Sequence, residues 1–140
     1  MVGLGCGARS YTAGLHYSFD YAVGVGQVRT VLEDYLHRPA ADFVHAETGY
    51  ALDGLEQRRR WLLKTLLRAE GVSLPAYAAR FGTQVTADFP QLEDLIGAGH
   101  ATQDQDAIRL SDAGLAHSDA IGPWLTSDAV RGAMHRYVAR

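Results

Sequence analysis

The sequence predicts a mainly helical α+β fold in two parts, and three observations carry that prediction. From Leu52 to Glu70, Leu52, Leu55, Leu62, Leu66 and Ala69 recur at helical spacing; Leu63 and Leu67 widen the stripe, and Arg58, Arg59, Arg60, Lys64 and Arg68 take most of the remaining surface. Before this helix the chain is glycine-rich; after it come short elements punctuated by turn residues, one of them a strand–turn–strand pattern. At 140 residues and 47% hydrophobic content, the chain has enough apolar material for one domain with a core plus an appendage. The expected division is residues 1–39 as strand, loop and helix, 40–51 as connector, and 52–140 as a helical domain with a small hairpin.

Met1 to Ala8 reads as a short buried strand running into a turn, because Val2, Leu4 and Cys6 alternate with Gly3, Gly5 and Gly7. Glycines at alternate positions bare one face, which weakens a strand unless a ligand or another segment approaches the backbone closely. No strand precedes these glycines and no helix opens after Gly7, so a dinucleotide fingerprint does not fit. Arg9 to Tyr21 is polar and aromatic without helical period, a loop or irregular hairpin. Arg9 is a candidate anion ligand, and Tyr11, His16, Tyr17, Phe19 and Tyr21 either flank a planar ligand or, the commoner outcome, pack over a sheet edge. From Gln27 to Leu36, Val28, Val31, Leu32 and Tyr35 share one helical face, and Pro39 ends the element.

Beyond the long helix, Gly71 reads as its C-cap, Ser73 as the N-cap of a helix over 74–80 with Pro75 in an early position, and Gly82 as its stop. Pro90 opens the helix carrying Leu92, Leu95 and Ile96. His100 to Thr102 and Ala107 to Leu110 flank Gln103 to Asp106 as a β-hairpin, Ser111 caps a short helix through Leu115 and His117, and Pro123 to Val138 forms a helical tail. Helix, helix, helix, hairpin, helix is a winged-helix-like order. The predicted core of this part is Leu55, Leu62, Leu66, Leu74, Phe81, Leu92, Leu95, Ile96, Ile108, Leu110, Leu115 and Trp124.

Charge argues against nucleic acid. The formal net charge is −3. Between Gly71 and Asp128 the bases are Arg80 and Arg109, against Asp88, Glu93, Asp94, Asp104, Asp106, Asp112, Asp119 and Asp128. The helix that would enter a major groove carries Glu93 and Asp94 and no base, whereas Lys and Arg contacts to phosphate supply most nucleic-acid affinity. The run Arg58 to Arg60 has its commoner meaning as a solvated or interdomain face.

Other chemistry is thin. The single cysteine, Cys6, excludes an internal disulfide and an all-cysteine metal site made by this chain alone, and reads as a small buried apolar residue rather than a nucleophile. Asp104 and Asp106 lack the glycine and closing glutamate of a calcium loop, and His16, His37, His45, His100, His117 and His135 show no ligand spacing. No catalytic or metal-ligating residue is assigned. No apolar run approaches the roughly 18 to 20 residues that span a bilayer, and the first residues have neither a basic nor a long apolar region, so a cytoplasmic protein with no membrane partner is expected.

The stretch Val2-Gly3-Leu4-Gly5-Cys6-Gly7-Ala8-Arg9-Ser10-Tyr11 is similar to the glycine segment at the end of the catalytic barrel in radical S-adenosylmethionine enzymes of the oxygen-independent coproporphyrinogen III oxidase family, which includes haem chaperones. The family's C-terminal domain also has patterns like Leu66-Leu67-Arg68-Ala69-Glu70-Gly71-Val72-Ser73-Leu74, Ala79-Arg80-Phe81-Gly82 and Ile108-Arg109-Leu110-Ser111-Asp112-Ala113-Gly114-Leu115. The resemblance covers nearly the whole chain in order. It implies a terminal barrel strand and connecting helix before a winged-helix-like domain, in an oxidoreductase whose [4Fe-4S] cluster, held by Cys-x3-Cys-x2-Cys, cleaves S-adenosylmethionine to a radical.

The three-cysteine motif is absent from this sequence, so the resemblance implies that cluster and radical chemistry reside in the remainder of the barrel, whether encoded in the same gene or by a split partner. Neither cofactor is expected to bind this chain alone, which on this reading is a fragment inactive by itself. Carried over to this numbering, the resemblance places Gly3, Gly5, Ala8 and Arg9 near the S-adenosylmethionine or substrate pocket and makes His16, Tyr17 and Tyr21 substrate contacts. At Arg9 the family tolerates apolar residues. The alternative is a stand-alone winged-helix-like protein-interaction module, for which a glycine-stripped buried strand at the start has no use.

Overall fold

The computed structural model describes residues 1–19, 25–46 and 48–136. The chain divides into two compact units, Met1–Asp53 together with the residues from Gly132 on, and Gly54–Arg131.

In the first unit, β1 (Arg9–Tyr11), β2 (Leu15–Ser18) and β3 (Thr48–Ala51) form an antiparallel sheet in the order β1-β2-β3. The β1–β2 turn is closed by Thr12, whose backbone N–H donates to the Leu15 carbonyl at 2.9 Å while its hydroxyl accepts from the Leu15 N–H at 3.0 Å. The hairpin expected after Arg9 therefore exists. The strand expected over Met1 to Ala8 does not: Gly5 and Gly7 take left-handed backbone at φ 101° and 70°, and Ala8 N–H closes a turn onto the Gly5 carbonyl at 3.2 Å. Alternation of Val2 and Leu4 with glycine resembles a strand pattern, yet these glycines serve the turn, and both apolar side chains are exposed. Helix α1 (Val25–His37) follows, then a 3-10 turn over Ala40–Val44. Residues read as a connector thus include that turn and the third strand of the sheet. Arg38 lies over the rings of Phe19 and Phe43, and Phe43 meets Phe19 and Tyr35 edge-on.

The second unit begins with α2 (Gly54–Leu66). Glycine at 71 is required, since its φ is 71° and a Cβ there would lie 2.3 Å from the Ile108 carbonyl oxygen. That close approach lets β4 (Val72–Ser73) pair with β6 (Ala107–Leu110), which pairs in turn with β5 (Ala101–Gln103), giving an antiparallel sheet in the order β4-β6-β5. Between them run α3 (Leu74–Phe81), α4 (Val85–Asp88) and α5 (Leu92–Gly97). Ser73 caps α3 by accepting from Ala76 N–H at 3.3 Å, and Gly82 ends it at φ 70°. After the sheet, α6 (Asp112–Ala116) is capped by Ser111, α7 (Ser118–Trp124) carries Pro123 in its last turn, and α8 (Asp128–Arg136) closes the described chain. The tail expected from Pro123 is thus two helices, the first starting at Ser118.

One core fills this unit: Leu62, Leu66, Val72, Tyr77, Val85, Phe89, Leu92, Leu95, Ala101, Ile108, Leu110, Ile121 and Leu125. Of the expected core, Leu55, Leu115 and Trp124 are exposed, while Leu74, Phe81 and Ile96 are half-buried against it. Two of the three arginines expected on a solvated or interdomain face are bonded within the unit. Arg58 pairs with Asp88 at 2.9 Å; Arg59 pairs with buried Glu56 at 3.1 Å and donates to the Leu125 carbonyl at 2.8 Å. Both guanidiniums thereby tie α2 to later elements of its own unit. Among the described residues no helix is long and apolar enough to cross a membrane.

Candidate functional site

The site residues named from the sequence lie in the first unit, around the glycine turn and the hairpin it feeds. Gly3 N–H donates to Ser10 Oγ at 3.0 Å, and a Cβ on Gly3 would sit 2.6 Å from the Arg9 carbonyl oxygen, so no side chain fits there. Tyr11 N–H donates to the Met1 carbonyl at 2.8 Å, which lays the opening residues alongside β1. At Gly5, in contrast, a Cβ would meet nothing within 4 Å. That turn is backbone with open space beside it. Ala8 is half-buried, and Arg9, the first residue of β1, is exposed. Gly3, Gly5, Ala8 and Arg9 are therefore brought together by one turn and the strand that leaves it.

His16 and Tyr17 are consecutive on β2 and so point to opposite faces of the sheet. The register sets His16 opposite Tyr11 on one side and Tyr50 on the other. The Tyr11 and His16 rings stack, centroids 4.3 Å apart at 22°. Tyr17 stands opposite Ser10 and Gly49, and a side chain on Gly49 would press on Tyr17, its Cβ 3.1 Å from the Tyr17 Cβ. Tyr21 lies outside the described residues. Two residues of this region escaped the sequence reading: Ser10, buried and accepting from Gly3, and Tyr50, placed beside His16 only by β3. A Gly-Tyr pair ahead of a long helix is a weak strand signal, and nothing local in it points back to residue 16.

Cys6 is half-buried rather than buried and lines a cavity of about 30 Å³ with Phe19, Val31, Asp34, Tyr35 and Arg38, room for roughly one water. Among the described residues no group of three or more His, Cys, Asp or Glu side chains is placed to hold a metal ion.

In the second unit, several charged groups hold the fold. Asp88 accepts from the Tyr77 hydroxyl at 2.6 Å as well as from Arg58, and burial, the hydrogen bond to that carboxylate and its charge all raise the Tyr77 phenol above its ordinary range. At the hairpin tip, Asp104 accepts from the backbone N–H groups of Asp106 and Ala107, both at 2.8 Å, and pairs with Arg109. These bonds to its ionised form hold the Asp104 carboxyl below its usual value. The hairpin and α5, which exposes Glu93 and Asp94, remain acidic surfaces.

Residues 52–117 match the HemN C-terminal domain family. That stretch is similar to a HemN C-terminal domain. No curated protein and no solved structure matched the chain. The HemN C-terminal domain match runs through α2, all three strands of the second sheet, α3 to α5 and α6. Gly3, Gly5, Ala8, Arg9, His16 and Tyr17 lie before it.

Proposed function

We propose that this chain is the C-terminal portion of a radical S-adenosylmethionine oxidoreductase of the HemN type, acting in the cytoplasm on a porphyrin-related substrate. The observation that carries this reading is the HemN C-terminal domain match over residues 52–117, which spans the element order helix, strand, three helices, two strands, helix. That order supports a winged-helix-like domain. Its acidic hairpin and α5 suit packing against protein rather than phosphate. The first unit then supplies the end of the barrel, with Gly3, Gly5, Ala8 and Arg9 at the pocket for S-adenosylmethionine or substrate. Bare backbone beside Gly5 admits close approach of a ligand, and Arg9 presents a cation at the start of β1.

A [4Fe-4S] cluster that cleaves S-adenosylmethionine takes three thiolates, and this sequence has one cysteine, so its residues do not fit that group. The cluster therefore belongs to the rest of the barrel, which is the partner this reading requires. Anaerobic reconstitution of the isolated chain with iron and sulfide tests it. The expected result is no stoichiometric cluster absorbance and no 5'-deoxyadenosine from S-adenosylmethionine; a stable cluster on each chain would overturn the reading.

A further inference from the structure

We propose that His100 and His117 hold a divalent transition-metal ion, with Zn²⁺ as the test case, between the base of the second hairpin and the end of α6. Their spacing in sequence matches no ligand motif, and only the fold brings the two together. The ring centroids lie 5.1 Å apart with the planes at 53°. Two imidazoles that bind one tetrahedral ion, each through a nitrogen at about 2.0 Å, have centroids about 5 Å apart, so these rings already stand at the separation of a shared ion.

Hydrogen bonding decides what each ring offers. Nδ1 of His117 lies 2.7 Å from the Ala113 carbonyl oxygen. A carbonyl only accepts, so neutral His117 carries its proton on Nδ1 and keeps a lone pair on Nε2. An imidazole whose other nitrogen donates to a backbone carbonyl is the common support for a metal ligand. Nδ1 of His100, in turn, is buried and has no hydrogen-bond partner among the described residues. A ring nitrogen withdrawn from water without a partner is costly, and such a group calls for a water or an ion. An ion taken by Nδ1 of His100 and Nε2 of His117, with water completing its coordination, supplies that partner.

Both ligands sit on backbone that is already fixed. His100 N–H donates to the Leu95 carbonyl at 2.8 Å, its own carbonyl accepts from Ser111 N–H at 3.0 Å, and His117 N–H donates to the Gly114 carbonyl at 3.1 Å. The Ser111 hydroxyl adds a bond to the Gly99 carbonyl at 2.7 Å. Little chain ordering therefore opposes binding. Imidazole ligands select Zn²⁺, Ni²⁺ and Cu²⁺ over Mg²⁺ and Ca²⁺, which take oxygen. An ion held only by the folded second unit also stabilises it by mass action. The proposal rests on that unit alone and does not require the radical-enzyme reading, so either can fail without the other.

Zn²⁺ titrated into the full chain at neutral pH is expected to bind, to shift the ring resonances of His100 and His117, and to raise the urea midpoint of the second unit followed by tryptophan fluorescence. Mg²⁺ at the same concentration should do none of these. Loss of an outer partner alone costs about 10- to 100-fold in metal affinity, so His117→Ala, which removes an exposed ligand, should weaken Zn²⁺ by about a hundredfold or more and cancel the midpoint rise. His100→Ala should do the same, with circular dichroism showing that each variant is folded. His37→Ala on α1 and His135→Ala on α8 should leave Zn²⁺ affinity unchanged. The proposal is overturned if the unmutated chain does not bind Zn²⁺, if folded His117→Ala binds it as tightly as the unmutated chain, or if the His100 and His117 resonances stay in place at saturation.

Discussion

Gly114→Ala is a substitution for which helix propensity and the structure give opposite signs. Gly114 lies inside α6, where alanine is favoured over glycine by about 1 kcal/mol, so the helix alone predicts stabilisation. A Cβ at 114, however, would lie 1.9 Å from the His100 carbonyl oxygen and 3.3 Å from the Leu110 Cβ. Relief to the 3.0 Å below which Cβ contacts essentially do not occur requires a movement of 3.0 − 1.9 = 1.1 Å. The His100 carbonyl cannot give way cheaply, because it accepts from Ser111 N–H at 3.0 Å and so ties the base of the hairpin to the start of α6. Overpacking costs about 1 to 3 kcal/mol and a lost hydrogen bond about 1. After the helix gain, Gly114→Ala should destabilise the second unit by about 2 kcal/mol. Both tryptophans, Trp61 and Trp124, belong to this unit, so tryptophan fluorescence in urea reports its unfolding separately from the first unit. With a slope of about 1 to 2 kcal/mol per molar, the midpoint falls by about 1 to 2 M. Gly97→Ala in α5, where a Cβ meets nothing within 4 Å, is the control and should be neutral or stabilising. If Gly114→Ala unfolds at or above the wild-type midpoint, the packing of α6 on the hairpin is misassigned.

Phe89→Ala deletes a fully buried ring from the core and should cost about 3 to 5 kcal/mol in the same assay. The Tyr77 phenol is raised above its ordinary value of 10.0, so the unfolded state loses that proton first and stability falls as pH rises above 10; Tyr77→Phe should flatten this alkaline loss in unfolding midpoints measured across that range. Asp104 has the opposite sense: its folded carboxyl is lowered from 3.8, so its contribution is present above that value and lost as pH falls below it. The midpoint difference between wild type and Asp104→Asn should accordingly shrink under acid. Hydrogen exchange should show protection concentrated at Leu62, Leu66, Leu92, Leu95, Ile108 and Leu110, with rapid exchange over Met1 to Ala8, where no strand ladder forms. The full chain should not retard duplex DNA at physiological salt, as its hairpin and α5 are acidic; sequence-specific retardation would contradict this.

What could be read from the sequence were the elements whose signals are local. Ser73, Pro75 and Gly82 mark α3 at both ends, Ser111 marks α6, and Gln103 to Asp106 marks the second hairpin, each because one side chain or one glycine satisfies a particular backbone need. What could not be read depends on distant partners. The two-residue β4 is a strand only because Ile108 and Ala107 lie beside it, and Phe89 enters the core just past α4, a helix too short to show a period. Arg58 and Arg59 looked like solvent charges because Asp88 and the Leu125 carbonyl, their distant partners, are far away in sequence. At the candidate site, Arg9 was legible as a cation just past a turn, but the glycines before it read as a strand, since alternation in so short a run cannot tell a pleat from left-handed turn glycines. The pairing of His16 with Tyr50 required β3, which the sequence hid inside a connector.

The central claim is that this chain works as the end of a radical-enzyme barrel joined to a HemN C-terminal domain, and the coding sequence around it tests that claim most directly. The account predicts a Cys-x3-Cys-x2-Cys segment, either upstream in the same reading frame or in an adjoining gene whose product assembles with this chain. Upstream sequence closed in frame by a stop codon, with no such segment in any neighbouring gene, would contradict it.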